Sequence, residues 1–265
     1  MNKETINNQK ATNEVWAEVW RKFPDTLSGK ELFGQRLFVE GYPIFSRYLP
    51  SNKSSKVLDI GSGTGRYGLK MALTDKSRLV YLVDILPESV EMMKRSAAYL
   101  NIENVVVKMS DIYKLPFPDS FFDVVFCDVV IQHIDKPEEA LIELKRVLKK
   151  EGRLIVSVVN WWNLPHTVYK FIKNVFYKSG YEYGYERSYT RRELCRLVKE
   201  SNLKLVAVDG FYFAYSIFRW KRTHRLWFWL GRIINRLVKI GDTFTGRFIS
   251  RYFGFEIFFV ATKVE

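Results

Sequence analysis

The sequence predicts an α/β fold, an open parallel sheet with helices on both faces. Three observations carry this. Lys56 to Met71 reads K-V-L-D-I-G-S-G-T-G-R-Y-G-L-K-M: an apolar run, glycines at alternate positions, then apolar residues at helical spacing. Comparable apolar runs recur at 79–84, 105–109, 121–130 and 153–159, with amphipathic stretches between them. Runs that stay apolar without alternating suit strands buried on both faces, as in a parallel sheet covered by helices. The second and fourth runs also close on acids, Asp84 and Asp128, at the carboxyl edge where open α/β sheets bind ligands.

Met1 to Asn13 is polar and is expected to fray. Glu14 to Phe23 carries Val15, Trp16, Val19 and Trp20 as a helical stripe, and Gly34 to Leu49 forms a second helix with a kink point at Pro43. Both precede the first strand, so 1–50 reads as an N-terminal helical cap and 51–265 as the sheet-bearing domain. After Val57 to Ile60, the glycines at 61, 63 and 65 let the backbone take positive φ and approach a ligand. The helix from Arg66 aims unpaired N–H groups at the same point. The strand Leu79 to Asp84 follows, then a helix opened by Pro87 and Glu88 that runs to Leu100. Asp84 lies about 20 residues beyond the glycine loop, where a carboxylate either accepts ribose hydroxyls or caps the next helix. Val105 to Met109 and Phe121 to Val130 are the third and fourth strands, separated by Ser110-Asp111-Ile112 and a turn-rich link. Pro137 to Lys150 is helical, with Gly152 as its C′ glycine, and Arg153 to Val159 is the fifth strand. Thr190 and Glu193 form a capping box for a later helix, and Glu256 to Lys263 is the closing strand.

Two segments interrupt this rhythm. Residues 160–188 are aromatic from Trp161 to Tyr185, including Tyr177, and suit either a roof on an acceptor pocket or a satellite core. Residues 211–251 contain an amphipathic helix, Thr223 to Ile240. Leu226, Leu230, Ile233, Leu237 and Ile240 form one stripe, and Arg225, Arg232, Arg236 and Lys239 another. Three readings fit: a membrane-surface helix, an anion-binding lid, or a cap helix with its apolar face on the core.

With 47% hydrophobic residues in 265, the chain can bury a full core. The net charge of +13 favours anionic partners: an acidic membrane surface, phosphorylated substrates or nucleic acid. Cys127 and Cys195 have no metal or redox spacing, so no metal site is expected. The polar start has no leader character and no apolar run approaches about 18 residues. These points predict a cytoplasmic location, with peripheral membrane contact through 223–240.

Gly63-Thr64-Gly65-Arg66-Tyr67-Gly68 matches the dinucleotide fingerprint literally. In that motif, however, the first glycine ends the strand, and here Gly61 holds that place. The run V-L-D-I-G-S-G-T-G instead resembles motif I of the class I S-adenosylmethionine-dependent methyltransferases, in their UbiE-like small-molecule group. The segment L-P-F-P-D-S-F-F-D-V-V-F-C-D-V-V-I-Q-H-I-D-K-P-E-E-A-L-I-E-L-K-R-V-L-K-K-E-G-R-L-I-V is similar to the same family. A departure falls at Lys149-Lys150-Glu151-Gly152, where the family usually reads K-P-G-G. The resemblance resumes from Tyr189 to Val208.

The resemblance implies a Rossmann-like parallel sheet with an antiparallel last strand at its edge, and 160–188 and 211–251 as lid insertions. It implies that Asp59 and Gly61 face the methionyl part of S-adenosylmethionine and that Gly63 lies against it through its backbone. Asp84 would hold the ribose, and Asp111 would accept from the adenine amino group beside the Ile112 N–H. The Cys127 or Asp128 carbonyl would face the cofactor's amino group. Arg36 and Arg66 are candidates for its carboxylate. The sulfonium is already activated, so the protein chiefly aligns donor and acceptor, and a base is needed only when the acceptor must lose a proton. His133, after the fourth strand, is the candidate base, with Asp128 or Asp135 as substitutes; His166 and His224 lie in the insertions. The expected activity is methyl transfer to a small, hydrophobic, lipid-linked or glycan-linked acceptor, leaving S-adenosylhomocysteine. Alternatives are RNA methylation, a non-catalytic S-adenosylmethionine-binding protein and, on the literal glycine match alone, a nicotinamide oxidoreductase.

Overall fold

The computed structural model describes residues 3–50, 54–176, 181–219 and 226–263. Tyr177, Ser51 to Lys53 before the first strand, and the Thr223 to Arg225 start of the amphipathic helix, His224 included, lie outside them. Helix α1 spans Lys3–Arg21 rather than starting near residue 14, since neither proline nor glycine interrupts that stretch. The expected second helix is divided. A short α2, Gly29–Phe33, starts on a Ser28–Glu31 capping box and stops at Gly34. Helix α3, Arg36–Phe45, holds Pro43 in its last turn and ends in a 3-10 turn.

Strands β1 (Lys56–Ile60), β2 (Leu79–Asp84), β3 (Val105–Met109), β4 (Phe122–Asp128) and β5 (Leu148–Val159) are parallel. They alternate with α4 (Arg66–Thr74), α5 (Pro87–Tyr99) and α6 (Pro137–Val147). Beyond β5 come α7 (Leu164–Phe176), α8 (Arg191–Glu200), β6 (Leu203–Phe211), α9 (Tyr215–Arg219), α10 (Leu226–Thr245), α11 (Phe248–Phe253) and β7 (Glu256–Lys263). The sheet order is β3-β2-β1-β4-β5-β7-β6.

β7 is antiparallel to both its neighbours, as the resemblance implied, but it lies between β5 and β6 instead of at the edge. Its residues explain the position. Phe258 and Val260 enter the core on one sheet face, and Ile257, Phe259 and Ala261 enter the core on the other. A strand buried on both faces belongs inside a sheet, whereas β6, with Lys204, Leu205 and Val206 exposed, suits the edge. The first core also takes Leu32, Phe38 and Phe45 from the N-terminal helices, so that segment packs directly on the sheet. α6 and α8 cover the opposite face.

Gly152 does not end a helix. α6 stops at Val147 and β5 has begun at Leu148, which pairs with Phe122. Glu151 takes the left-handed backbone, φ +62°, that the C′ reading assigned to glycine. A Cβ at Gly152 would stand 2.8 Å from the Leu148 side chain and 2.9 Å from the Lys149 carbonyl, so glycine is needed there for close approach.

α8 starts on the Thr190–Glu193 capping box as expected. α10 packs through Phe228 and Ile234, with Gly231 allowing close contact with the Phe218 ring. Its Leu226, Leu230, Ile233, Leu237 and Ile240 stripe is exposed, so that stripe does not face the core.

Candidate active site

A cavity opens at the carboxyl ends of β1 to β4. The glycine loop after β1 forms its floor. Gly61 and Ser62 donate backbone N–H bonds to the Val83 carbonyl at 2.8 and 3.1 Å, and Ser62 Oγ donates to the Asp59 carbonyl at 2.6 Å. Gly61 and Gly63 both have positive φ, +66° and +55°. Any side chain at Gly61 would strike Val130, and one at Gly63 would meet the Trp20 ring 2.9 Å away. The loop is thus a left-handed bend with no room for a Cβ.

Asp84, buried at the end of β2, ties the loop to the sheet. Its Oδ2 accepts from Gly63 N–H at 2.9 Å and its Oδ1 from Leu86 N–H at 3.0 Å. Burial raises its pKa while these donors oppose the rise. The Ser89 hydroxyl and the Ile85 N–H also act on it to lower the pKa. Asp59 accepts from Gly68 N–H at 2.9 Å, and burial raises its carboxyl to about 8. Gly68 fits closely there; its Cβ would lie 2.2 Å from Leu82. The packing glycine of the literal fingerprint is therefore present, though displaced relative to a loop that starts at Gly61. Asp111 turns back on Tyr113 N–H at 3.0 Å beside buried Ile112.

At the end of β4, Asp128 accepts from Ser157 Oγ at 2.5 Å. Burial raises its pKa, with Ser157 and the Arg66 guanidinium opposing. Glu256 is buried next to it with neither carboxylate oxygen hydrogen-bonded. Burial and the Asp128 charge push the Glu256 pKa well up. The following residue, Val129, has φ +57°, a conformation that a β-branched side chain strongly disfavours. Its N–H is held by Ser157 through both carbonyl and hydroxyl, each at 3.1 Å. Local strain of this kind is typical of functional sites.

His133 lines the cavity after β4. Its Nδ1 donates to the Tyr185 carbonyl at 2.7 Å, which leaves the lone pair on Nε2. Gln132 Nε2 approaches that nitrogen at 3.3 Å. The Gln132 amide is oriented from both ends: Oε1 accepts from Val159 N–H at 2.7 Å, and Nε2 donates to Glu186 Oε2 at 3.2 Å. Burial lowers the His133 pKa, keeping the ring neutral. Glu186 also accepts from His166 and Tyr181, both at 3.0 Å. Burial alone would raise its pKa, but His166, His133 and Lys170 outweigh that and hold it at about 2.

The structure thus gathers Asp59, Gly61, Gly63, Asp84, Asp111, Ile112, Asp128 and His133 around one cavity. Cys127 is the exception; its side chain is buried in the core and is not on the cavity wall. Arg66 lines the cavity and donates to Gln35, whereas Arg36 lies over the Phe218 and Phe228 rings, away from it. Asp135 is not on the wall, and His166 is enclosed by Glu186 and Ser216. Residues that sequence reasoning did not assign to the site complete it. Trp16 and Trp20 of α1 roof the glycine loop, and Trp16 stacks on Tyr183 and meets His133 edge-on, each with ring centroids 5.2 Å apart. The aromatic insertion therefore reaches the site through Tyr183 and the Tyr185 carbonyl. Spacing of Trp16 and Trp20 by one helical turn was the available signal for a shared face; nothing local says what that face covers.

The family model for a methyltransferase domain matches residues 51–203, more than half of the chain. The chain belongs to this methyltransferase family. Its domain is of the class I S-adenosylmethionine-dependent type. Among curated relatives, the methyltransferase is 33% identical over 153 residues to a ubiquinone/menaquinone biosynthesis C-methyltransferase of Rickettsia bellii, covering 56% of this chain and 60% of that protein. It is 32% identical over 102 residues to a malonyl-acyl-carrier-protein O-methyltransferase of Halorhodospira halophila, covering 38% and 34%. The methyltransferase spans between a third and three fifths of the length of the first curated relatives it matches. Among solved structures, Haemonchus contortus phosphoethanolamine N-methyltransferase 2, in complex with phosphomonomethylethanolamine and S-adenosylhomocysteine, superposes with a TM-score of 0.62 at 17% identity. That match covers 98% of this chain and 59% of the other. At that identity the likeness speaks for the fold.

Proposed function

We propose that this methyltransferase transfers a methyl group from S-adenosylmethionine to O, N or C of a small, hydrophobic, lipid-linked or glycan-linked acceptor. The observation that carries the reading is the order of groups along the sheet edge. Asp111 follows β3, Asp84 ends β2, the glycine loop follows β1 and Asp128 ends β4, and these strands are neighbours in that order. At about 4.8 Å per strand the row spans roughly 14 Å, a length suited to an extended nucleoside with an amino-acid tail. Adenine at Asp111 and the Ile112 N–H, ribose at Asp84, and the methionyl part at Asp59, Gly61 and Gly63 follow that row. The Asp128 end would take the cofactor's ammonium. The glycine loop, with no space for a Cβ, fits close approach by such a ligand. S-adenosylmethionine supplies a methyl group already activated by its sulfonium. The chain's part is to hold donor and acceptor in line and to exclude water. Where the acceptor must lose a proton, His133 Nε2 is the base once the acceptor displaces the Gln132 amide that donates to it at 3.3 Å, with Nδ1 donation to the Tyr185 carbonyl fixing the tautomer.

The acceptor class has two supports. Trp16, Trp20 and His133 give the cavity an aromatic wall, with Tyr183 stacked on Trp16. Two relatives are named for C-methylation in ubiquinone/menaquinone biosynthesis and for O-methylation of malonyl-acyl-carrier protein, which supports a small or carrier-linked acceptor. Peripheral contact with an anionic membrane through 223–240 belongs to the same reading. Calorimetric titration with S-adenosylmethionine, S-adenosylhomocysteine and NADH tests the cofactor, repeated on Asp84→Ala. The two sulfur nucleosides should bind, at least about tenfold more weakly in the variant. Binding of NADH alone would sink the proposal.

A further inference from the structure

Both insertions leave the sheet at one end. Residues 160–190 follow the carboxyl end of β5 and residues 212–255 that of β6, and these strands point the same way because each runs antiparallel to β7. The cavity opens at that end too. The insertions are bolted together. Asn163 Nδ2 donates to the Phe213 and Phe253 carbonyls at 2.9 and 2.8 Å, and Asn160 Nδ2 to those of Tyr252 and Gly254, both at 2.9 Å. His166 meets Ser216 Oγ at 3.2 Å. α10 is braced on α3 by Lys239–Glu40 at 2.6 Å.

What this assembly turns to solvent is apolar and helically spaced. On α10, Leu226, Leu230, Ile233, Leu237, Ile240 and Phe244 recur every three or four residues, with Leu237 61% and Phe244 85% exposed. On α7, Leu164, Val168, Phe171 and Val175 recur likewise, with Phe171 62% exposed. Exposed stripes on helices of two hydrogen-bonded insertions are not the scattered apolar residues of an ordinary surface.

The exposed charges that the two helices themselves carry have one sign. α7 contains no acid, and the single acid of α10, Asp242, is buried and accepts from Ser250 N–H. Arg36, Arg232 and Arg236 line a groove between α3 and α10, with Trp229 and Phe218 in its walls. Among the described residues, Arg232 and Arg236 make no ion pair; Arg232 stands over the Trp229 ring at 5.3 Å. A second copy of the chain would bring the same net charge of +13 to the contact. A bilayer of anionic lipids satisfies both features, acyl chains for the stripes and phosphates for the arginines.

We propose that the two insertions form a docking face for an anionic lipid bilayer, with the α7 and α10 stripes at the headgroup–acyl boundary and Arg36, Arg232 and Arg236 taking lipid phosphates. α10 lies in the interface; none of the described helices is long and apolar enough to cross a membrane. The proposal deepens the reading above, because a lipid-linked acceptor would enter the cavity from the membrane side.

The test is co-sedimentation of the full chain with vesicles of phosphatidylcholine alone or mixed with phosphatidylglycerol. The chain should partition onto the anionic vesicles, less so at high salt, and weakly onto neutral ones. Arg232→Glu with Arg236→Glu, and separately Leu237→Asp with Phe244→Asp, should each reduce partition at least about tenfold. None of these residues lines the cavity, so S-adenosylmethionine titration should be unchanged, which also certifies folding. No partition by the parent chain, or equal partition in both variants, overturns the proposal. So does a dimer in sedimentation equilibrium that Leu237→Asp dissociates, since the face is then covered by a second copy. Partition without methyl transfer to lipid acceptors supports the docking face and counts only against the acceptor class.

Discussion

Asp59 lies among Asp84, Asp128 and Arg66, and its charge depends on what joins them. Burial raises its carboxyl to about 8 against a usual 3.8, with the Gly68 N–H opposing and the neighbouring carboxylates adding. Between those values the folded chain holds a proton that the unfolded chain has lost. The stabilisation is therefore fully present below about 3.8 and is lost as pH rises through about 8. S-adenosylmethionine carries a sulfonium and an ammonium, which favour the ionised carboxyl. We expect binding at neutral pH to release protons, seen as different calorimetric enthalpies in buffers of low and high ionisation enthalpy. Equal enthalpies would mean that Asp59 is already ionised in the free protein. His133 runs the opposite way. Its pKa is depressed from 6.5 by burial, so the unfolded chain takes up its proton first and stability falls as pH drops below about 6.5. His133→Gln should leave cofactor affinity within about threefold and slow transfer to a protonated acceptor by roughly 10²–10⁴. An unchanged rate would remove His133 as base. The acids of the cavity were legible because they close or follow strands, and strand ends point to the ligand edge. Gln132 and Glu186 were not, since a sequence separation of 54 is bridged only by folding.

The loop–helix element makes two sharp demands. Alanine in place of glycine in a helix ordinarily stabilises by about 1 kcal/mol. At Gly68 the added Cβ would lie 2.2 Å from Leu82 and 2.9 Å from Asp59, so Gly68→Ala should instead destabilise, by roughly 1–3 kcal/mol. A denaturant midpoint at or above that of the parent would contradict the packing. Gly63→Ala combines a left-handed backbone, about 1–2 kcal/mol, with the Trp20 ring. Trp20→Ala should relieve the second part and not the first, which a double-mutant cycle resolves; strict additivity would mean that Trp20 does not sit on the loop. Elements were legible where pattern and local chemistry agree, as at the Thr190–Glu193 capping box. The equivalent Ser28-x-x-Glu31 signal for α2 is equally legible in the sequence. Gly152 misled because glycine has two uses, positive φ and close approach, and sequence does not distinguish them.

At the scale of the molecule, α1 roofs the site while an Arg21–Glu88 ion pair at 2.7 Å, mostly exposed on the arginine side, ties its end to α5. Exposed pairs of this kind contribute little. Much of what holds α1 down is then Trp16 and Trp20 over the cavity. Saturating cofactor should add roughly 2.7 kcal/mol at a hundred times its dissociation constant, and hydrogen exchange should slow in residues 14–21 more than in α8 on the opposite face. Uniform slowing would mean that α1 is not a ligand-coupled roof. The alternation of strands and helices was legible from burial on both faces. The place of β7 was not, because strand order beyond the parallel core depends on which of two closing strands is buried on both faces. That place also bears on how the protein is made. β7 is synthesised after every other strand of this sheet, and β6 pairs with nothing else in it. At about 5–20 residues per second, the roughly 100 residues from the end of β5 at Val159 to Phe259 take about five to twenty seconds to synthesise. Until then the side of β5 that takes β7 is an open edge and both cores lack their closing side chains, an arrangement that chaperones shielding unpaired strands would engage.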